Sequence, residues 1–130
     1  MSYETRRAAI EGRMNTNWSD TDLVFEEIKY TPTEGTAWTK IWIIPDNSTQ
    51  ITIGGSGPGQ RRSEIIQIDI NVPAEEGTKV IRGYADTAIA IFENARFSSI
   101  TVWGEHDIFR DRVEGWLKWS IRFNCWQDES

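Results

Sequence analysis

The sequence is poor in the residue types that most often carry catalysis or bind metal. It has one cysteine, Cys125, and one histidine, His106, among 130 residues. A single cysteine cannot form an internal disulfide, which favours a reducing compartment. Zinc needs three or four convergent ligands, and a Ser-His-Asp triad cannot be assigned from one histidine. We therefore expect no metal, no cofactor and no enzymatic activity.

Long apolar runs are also missing. The longest run covers residues 41–44 and ends at Pro45, whereas a membrane helix needs about 20 apolar residues. The first seven residues lack the apolar core of a signal peptide. We therefore expect a soluble protein without a membrane partner, in one domain spanning residues 1–130.

Positive charge is in deficit. The chain has 14 Lys and Arg against 20 Asp and Glu, a formal net charge of -6. This balance disfavours a general nucleic-acid binder, so no direct nucleic-acid partner is expected.

Tryptophan, by contrast, is abundant, with seven in the chain. Trp38, Trp42, Trp116 and Trp126 alternate with polar residues on predicted strands. Two interpretations remain open at this point. Either both faces of the sheet are covered within the domain, or a Trp-rich face packs against another subunit, since interface cores are enriched in tryptophan and arginine.

Hydrophobic periodicity predicts an α+β fold with two helices and about six strands, in the order α-β-β-β-β-α-β-β. Adjacent runs of strands favour a mostly antiparallel sheet. A polar connection is expected over residues 104–111. The predicted helices are 2–16 and 78–94, and the predicted strands are 23–30, 37–44, 50–53, 66–72, 97–103 and 113–126.

Side-chain spacing predicts which faces are buried. On the first helix Tyr3, Ile10 and Met14 share the apolar stripe, and Arg6 and Glu11 lie off it. Thr78 is expected to cap the second helix, and Gly115 to form a bulge in the last strand. The core face of that strand is predicted to hold Leu117, Trp119, Ile121, Phe123 and Cys125.

A glycine-rich stretch covers residues 54–62. It holds four of the ten glycines, Gly54, Gly55, Gly57 and Gly59, followed by Arg61 and Arg62. A P-loop does not fit, because Gln60 and Arg61 stand where Lys and Ser or Thr should follow. A dinucleotide fingerprint does not fit either, because residues 55–59 lack the G-x-G-x-x-G spacing and no helix is predicted to follow. We expect a flexible loop that becomes ordered on a partner.

The two remaining candidates for chemistry favour ordinary roles. Cys125 lies on an apolar strand face, where a thiol usually behaves as a small hydrophobe. His106 lies between Glu105 and Asp107, which is typical of a surface loop when no second ligand is present.

Several segments, in order and spacing, resemble the tail-terminator or tail-completion proteins of long-tailed bacteriophages and prophages. The chain is similar in particular to the small family allied to the lambda-type minor tail protein U. The segments are residues 25–27 with 30–38, 50–54 with the stretch to Arg62, 66–73 followed by Gly77, Ala85-Asp86 with Phe92, and Gly115-Trp116.

The resemblance implies a structural protein without chemistry. Such proteins form a ring, commonly a hexamer, on the end of the tail tube, where they stop tube polymerisation and help to join the tail to the head. It implies three partners: further copies of the chain, the tail-tube protein and a head-completion or connector protein. It also implies residence in the bacterial host cytoplasm during assembly and then in the virion tail. A carbohydrate-binding or other Trp-rich binding module is the alternative.

Overall fold

The structure is a computed structural model that describes residues 3–26, 28–33, 35–45, 49–50 and 60–129. Within these ranges it has an α+β fold with two helices and a mixed sheet of seven strands, two of them only two residues long. The elements are α1 (Tyr3–Asn17), β1 (Asp22–Phe25), β2 (Trp38–Pro45), β3 (Thr49–Gln50), β4 (Gln60–Pro73), a 3-10 turn (Ala74–Glu76), α2 (Thr78–Phe92), β5 (Arg96–Phe97), β6 (Ile100–Val113) and β7 (Trp116–Glu129).

The strands lie in the order β1-β2-β4-β7-β6-β5, and β3 pairs with β4 outside this path. The antiparallel expectation is matched only in part, because β1 runs parallel to β2 while the other pairs are antiparallel. The central pair, β4 with β7, runs in unbroken register from Pro73 opposite Trp116 to Gln60 opposite Glu129.

The predicted polar connection over 104–111 is wrong. Instead β6 continues through this stretch to Val113, with one register irregularity between Trp103 and Asp107. Strand β5 is short because Ser98 and Ser99 both have positive φ and turn the chain tightly into β6. Much of β6 lies at the edge of the sheet, where polar side chains are tolerated on both faces, so its sequence does not alternate as a buried strand does.

Gly115 is not a bulge. Glu114 and Gly115 have φ of 45° and 86° and join Val113 to Trp116 as a two-residue hairpin turn. Positive φ at both central residues is the geometry of the type I′ turn, which suits the twist of the flanking strands and favours glycine in the second position.

Other boundaries also differ from prediction. Strand β1 ends at Phe25 rather than residue 30, and α2 ends at Phe92 rather than residue 94. Gly77, with φ of 76°, precedes α2 as its N-cap, so Thr78 is the first helical residue and not the cap. Strand β4 begins at Gln60, which places residues 61 and 62 on a strand instead of in a loop. Residues 51–59 lie outside the described residues.

Both helices pack on one face of the sheet, here called the inner face. The predicted core face of β7 is confirmed, with Leu117 half-buried and the others buried, and Trp119 is in the core as expected. Trp18 also joins the core, where its Nε1 donates to Thr21 Oγ1 at 3.1 Å. The largest fully buried side chains are Phe92, Phe123, Ile10, Met14, Ile41, Ile66, Ile68, Ile70, Ile81, Ile100, Ile121 and Val72.

The predicted stripe on α1 is wrong at three positions. Tyr3 is exposed, whereas Arg6 and Glu11 are buried. Arg6 is only 2% exposed because its guanidinium forms an ion pair with Glu64 of β4, itself 3% exposed, and donates to Gln127 Oε1 at 3.4 Å. A buried charge needs an ion-pair or hydrogen-bond partner, and the Arg6–Glu64 pair links α1 to β4 in the sheet.

Candidate interaction surface

The sheet face opposite the helices, here called the outer face, carries the aromatic and charged side chains. The strand register places its residues in rows that run across β2, β4, β7 and β6. Its members are Trp38, Lys40, Trp42 and Ile44 of β2; Ile65, Gln67, Asp69 and Asn71 of β4; Trp116, Lys118, Ser120, Arg122, Asn124 and Trp126 of β7; and Asp107, Phe109, Asp111 and Val113 of β6.

Asp69 organises the centre of the outer face. Its side chain accepts hydrogen bonds from Trp42 Nε1 at 2.8 Å, Gln67 Nε2 at 2.9 Å and Ser120 Oγ at 2.6 Å. The ammonium of Lys118 lies 3.8 Å from the same carboxylate. Asp69 is only 5% exposed, because these neighbours from β2, β4 and β7 close over it. Bonds to an ionised acceptor are stronger than neutral ones, so this carboxylate holds the surrounding side chains in fixed positions.

Cations support the exposed rings around this centre. Arg122 donates through Nε to Gln67 Oε1 at 2.7 Å, and its guanidinium carbon lies 5.0 Å from the centre of the Phe109 ring. The ammonium of Lys40 lies 3.9 Å from the centre of the Trp42 ring. Both are cation–π distances. The outer face is therefore an aromatic surface of mixed charge, on which hydrogen bonds and cation–π contacts hold several side chains in position.

A second feature of the outer face is a cavity of about 230 Å³ near the β6–β7 turn. Tyr30 stacks on Trp38, with ring centres 5.2 Å apart and planes 17° apart, so one face of that ring is already covered. The indole nitrogen of Trp38 is buried and has no hydrogen-bond partner among the described residues. The cavity is lined by Trp38, Asn71, Val113, Glu114, Trp116 and Lys118.

The structure places the four strand-face tryptophans predicted from the sequence on one face of the sheet but does not cluster them, because Trp116 and Trp126 lie ten residues apart along β7. Trp38, Trp42, Trp116 and Trp126 all lie on the outer face and are half-buried, and neither of the two helices of the described residues covers them. Their role in subunit or partner binding stays a prediction. The other predicted partner-binding residues separate into two groups. Arg61 lies on β4 between Thr49 of β3 and residue 128 of β7. Arg62 follows it on β4, opposite residue 127 of β7. Gly54, Gly55, Gly57 and Gly59 lie outside the described residues.

Sequence reasoning missed the role of Asp69. The only signal was an acidic residue between two isoleucines on a strand with clear alternation. Only the strand register reveals that Trp42 and Ser120 come from neighbouring strands to meet it.

Cys125 is buried, and its Sγ donates to the Glu64 carbonyl oxygen at 3.3 Å. Burial, and then the charge of the Glu64 side chain, raise the pKa of Cys125 to about 12. The predicted position of Cys125 on the apolar face of its strand is confirmed, and the raised pKa disfavours the thiolate, which is the nucleophile and metal ligand.

His106 lies on β6 rather than in a loop, and its Nδ1 is 3.2 Å from Glu93 Oε1. Among the described residues, no three His, Cys, Asp or Glu side chains group as metal ligands, and no helix is long and apolar enough to cross a membrane.

Comparison with known proteins gives a likeness of fold alone. No family model matches the chain, and no curated protein matches it. Eleven chains of solved structures do match. One of these, whose name states no function, superposes with a TM-score of 0.75 over 100% of this chain and 97% of its own, at 15% identity. The chain therefore shares its whole fold with a solved protein that is distant in sequence.

Proposed function

We propose that the protein is a structural component of a bacteriophage or prophage tail, which caps the end of the tail tube, stops tube polymerisation and helps to join tail to head. The outer face is the observation that carries the proposal. It is a broad strand surface with aromatic rings and cations, arranged around the buried Asp69 carboxylate. The segments that resemble tail-terminator proteins give it this particular direction. The same resemblance points to assembly in the host cytoplasm and then residence in the virion.

The chemistry of the outer face suits a protein partner. Tryptophan and arginine dominate binding energy at protein interfaces, and they do so best where their positions are set before binding. Trp42 and Arg122 are already held by Asp69 and Gln67, so ordering them on a partner costs little conformational entropy. We propose that this face meets the tail-tube protein.

The test uses the tail-tube protein encoded in the same genome. Tubes are polymerised with and without the purified protein, and their lengths are measured by electron microscopy. We expect short, uniform tubes with a terminal density in its presence and overlong tubes in its absence. Tube lengths that do not change would overturn the proposal.

Two matched variants test the role of the outer face. Phe109→Ala removes a ring that is 52% exposed on this face, and Tyr3→Ala removes one that is 53% exposed on α1. We expect Phe109→Ala to weaken tube binding by roughly tenfold, as for a moderately important interface residue, while Tyr3→Ala leaves it unchanged. Equal behaviour of the two variants would exclude the outer face as the contact.

A carbohydrate-binding module is a second candidate, favoured by the cavity between Trp38 and Trp116. Sugar rings stack on tryptophan, and Asn71, Glu114 and Lys118 supply polar groups beside it. Binding would quench tryptophan fluorescence in a glycan screen, and Trp116→Ala would abolish that response. Failure of every glycan to quench would reject this candidate.

A further inference from the structure

Strand β6 leaves an unpaired edge over residues 107–113, here called the β6 edge. Strand β5 pairs only with Ile100 and Thr101 of β6. Beyond these two residues, no strand of the described residues pairs with the edge of β6 that points away from β7. In a two-residue hairpin the flanking pair is hydrogen-bonded and the pairs then alternate. The backbone groups of residues 108, 110 and 112 therefore point away from β7. In agreement, the Arg112 amide donates to the Asp111 side chain at 2.7 Å instead of to the ladder.

The β6 edge exposes apolar side chains on both sides of the sheet. Ile108 lies on the inner face, and Phe109 and Val113 lie on the outer face. All three side chains are exposed. The lengths of the elements explain this. A 15-residue helix is about 22 Å long, whereas a 14-residue strand spans about 46 Å. The helices therefore cannot cover the whole of β6, and an edge with unpaired backbone groups beside exposed apolar side chains offers a template for another chain.

The helix side of the β6 edge is basic. Arg110 and Arg112 are exposed there, and neither forms an ion pair with a carboxylate of the described residues. Arg82 of α2 lies nearby, since its guanidinium carbon is 5.2 Å and that of Arg110 is 5.9 Å from the Trp119 ring centre. A partner must therefore offer negative charge beside an apolar surface.

The opposite edge of the sheet offers both a negative charge and an apolar surface. A cavity of about 500 Å³ beside β1 is lined by Arg7, Glu11, Phe25, Glu26 and Ile28, and is here called the acidic groove. Arg7 pairs with Glu11 at 2.6 Å, so Glu26 is the carboxylate of the groove that has no cationic partner among the described residues. Ile28 is exposed at its rim.

Beside the acidic groove, no strand of the described residues pairs with the β1 side of β2 beyond the end of β1. Strand β1 ends at Phe25, opposite Ile41 of β2. Beyond this point the Ile43 amide of β2 is bonded to the Glu26 side chain at 3.2 Å instead of to a strand. The sheet order places this edge and β6 at opposite sides of the molecule.

We propose that the β6 edge of one copy docks into the acidic groove of the next copy, with Arg110 and Arg112 facing Glu26. Two different surfaces meet in this contact, so it is heterologous and repeats from subunit to subunit until a ring closes. The inference rests on the proposed function in one respect, because a tube cap needs such a ring.

The test reverses charge on each side separately. The double variant Arg110→Glu/Arg112→Glu reverses the β6 edge, and Glu26→Lys reverses the groove. Assembly is measured by native mass spectrometry and analytical ultracentrifugation, alone and on tube ends, with far-UV circular dichroism to verify folding. We expect each variant to lose assembly by roughly tenfold or more, because like charges then face each other. Lys79→Glu/Arg96→Glu is the control with the same change of net charge away from both surfaces, and it should assemble normally.

Mixing the two variants provides the decisive result. A reversed edge fits a reversed groove, and the remaining native edge fits the remaining native groove, so the mixture should assemble where each variant alone does not. Assembly of the Arg110→Glu/Arg112→Glu variant alone, or a mixture that fails to assemble although both variants fold, would overturn the inference. If wild-type protein forms no ring even on tube ends, the proposed function fails instead.

Discussion

Asp69 should contribute more to stability than its position on a solvent-facing sheet face suggests. Asp69→Ala removes one acceptor shared by the indole of Trp42, the amide of Gln67 and the hydroxyl of Ser120. Hydrogen bonds to a charged group contribute about 1.5–3 kcal/mol each when their donors are buried. The three donors here are half-buried, so water replaces part of what is lost. We expect a loss of about 3 kcal/mol in the free energy of unfolding.

Urea unfolding, followed by circular dichroism and tryptophan fluorescence, measures this loss directly. For a chain of this length, 3 kcal/mol corresponds to a fall in Tm of about 10 °C. Trp42 should also become more accessible to iodide quenching, because the bond that holds its indole is gone. Asp69→Asn should cost roughly half as much, since one oxygen still accepts while the new amide group faces the Trp42 donor.

Asp107→Ala is the matched control. Asp107 faces the same side of the sheet but is exposed, so its loss should cost less than about 0.5 kcal/mol. The reasoning is refuted if Asp69→Ala costs under about 1 kcal/mol, or if the two alanine variants are equally destabilised.

Three further predictions concern other parts of the fold. The pKa of Cys125 is raised from 9.0 to about 12, so the folded state keeps its proton longer than the unfolded state. Stability should therefore fall between pH 9 and pH 12, by up to about 1.4 kcal/mol per pH unit relative to a Cys125→Val variant, and parallel pH profiles would contradict this. Arg6→Met should lower the free energy of unfolding by about 3 kcal/mol in urea, because Glu64 is left buried and unpaired. Adding Glu64→Leu should restore most of this stability, and a double variant as unstable as the single one would disprove the reasoning. Gly115→Ala should destabilise the protein by about 1 kcal/mol in thermal unfolding, because the φ of Gly115 is 86°. Gly83→Ala should instead stabilise it by roughly 0.5–1 kcal/mol, because Gly83 lies on the exposed side of α2 with open space around it. Changes of the same sign for both variants would refute the backbone argument.

Periodicity predicted those parts of the fold in which one side of an element is buried. The core face of β7 follows from the strict alternation of its sequence. The first residues of β6 fall within the predicted strand 97–103, but its continuation to Val113 escaped prediction. Residues 107–113 are exposed on both faces, so their sequence lacks the apolar–polar alternation of a half-buried strand.

The candidate site was predictable only in its aromatic members. Trp38 and Trp42 stood out by alternation with polar residues, but the function of Asp69 depends on which strands become neighbours. The burial of Arg6 has the same origin, because its partner Glu64 lies 58 residues away in the chain. Single-sequence patterns report what is near along the chain, and both features depend on contacts across it.

The central pairing of β4 with β7 determines how the chain can reach its fold. The nearest paired residues, Pro73 and Trp116, are far apart in sequence, and the pair from Gln60 to Glu129 is further apart still. The β6–β7 hairpin is local and can form within microseconds, but β4 must find it across the whole of α2. Contacts between such distant segments slow folding, so the rate-limiting event should be the docking of β4 onto a preformed hairpin. Until then the hairpin presents two open edges, which makes the nascent chain most vulnerable to association with other copies before α2 has brought its own strand into place.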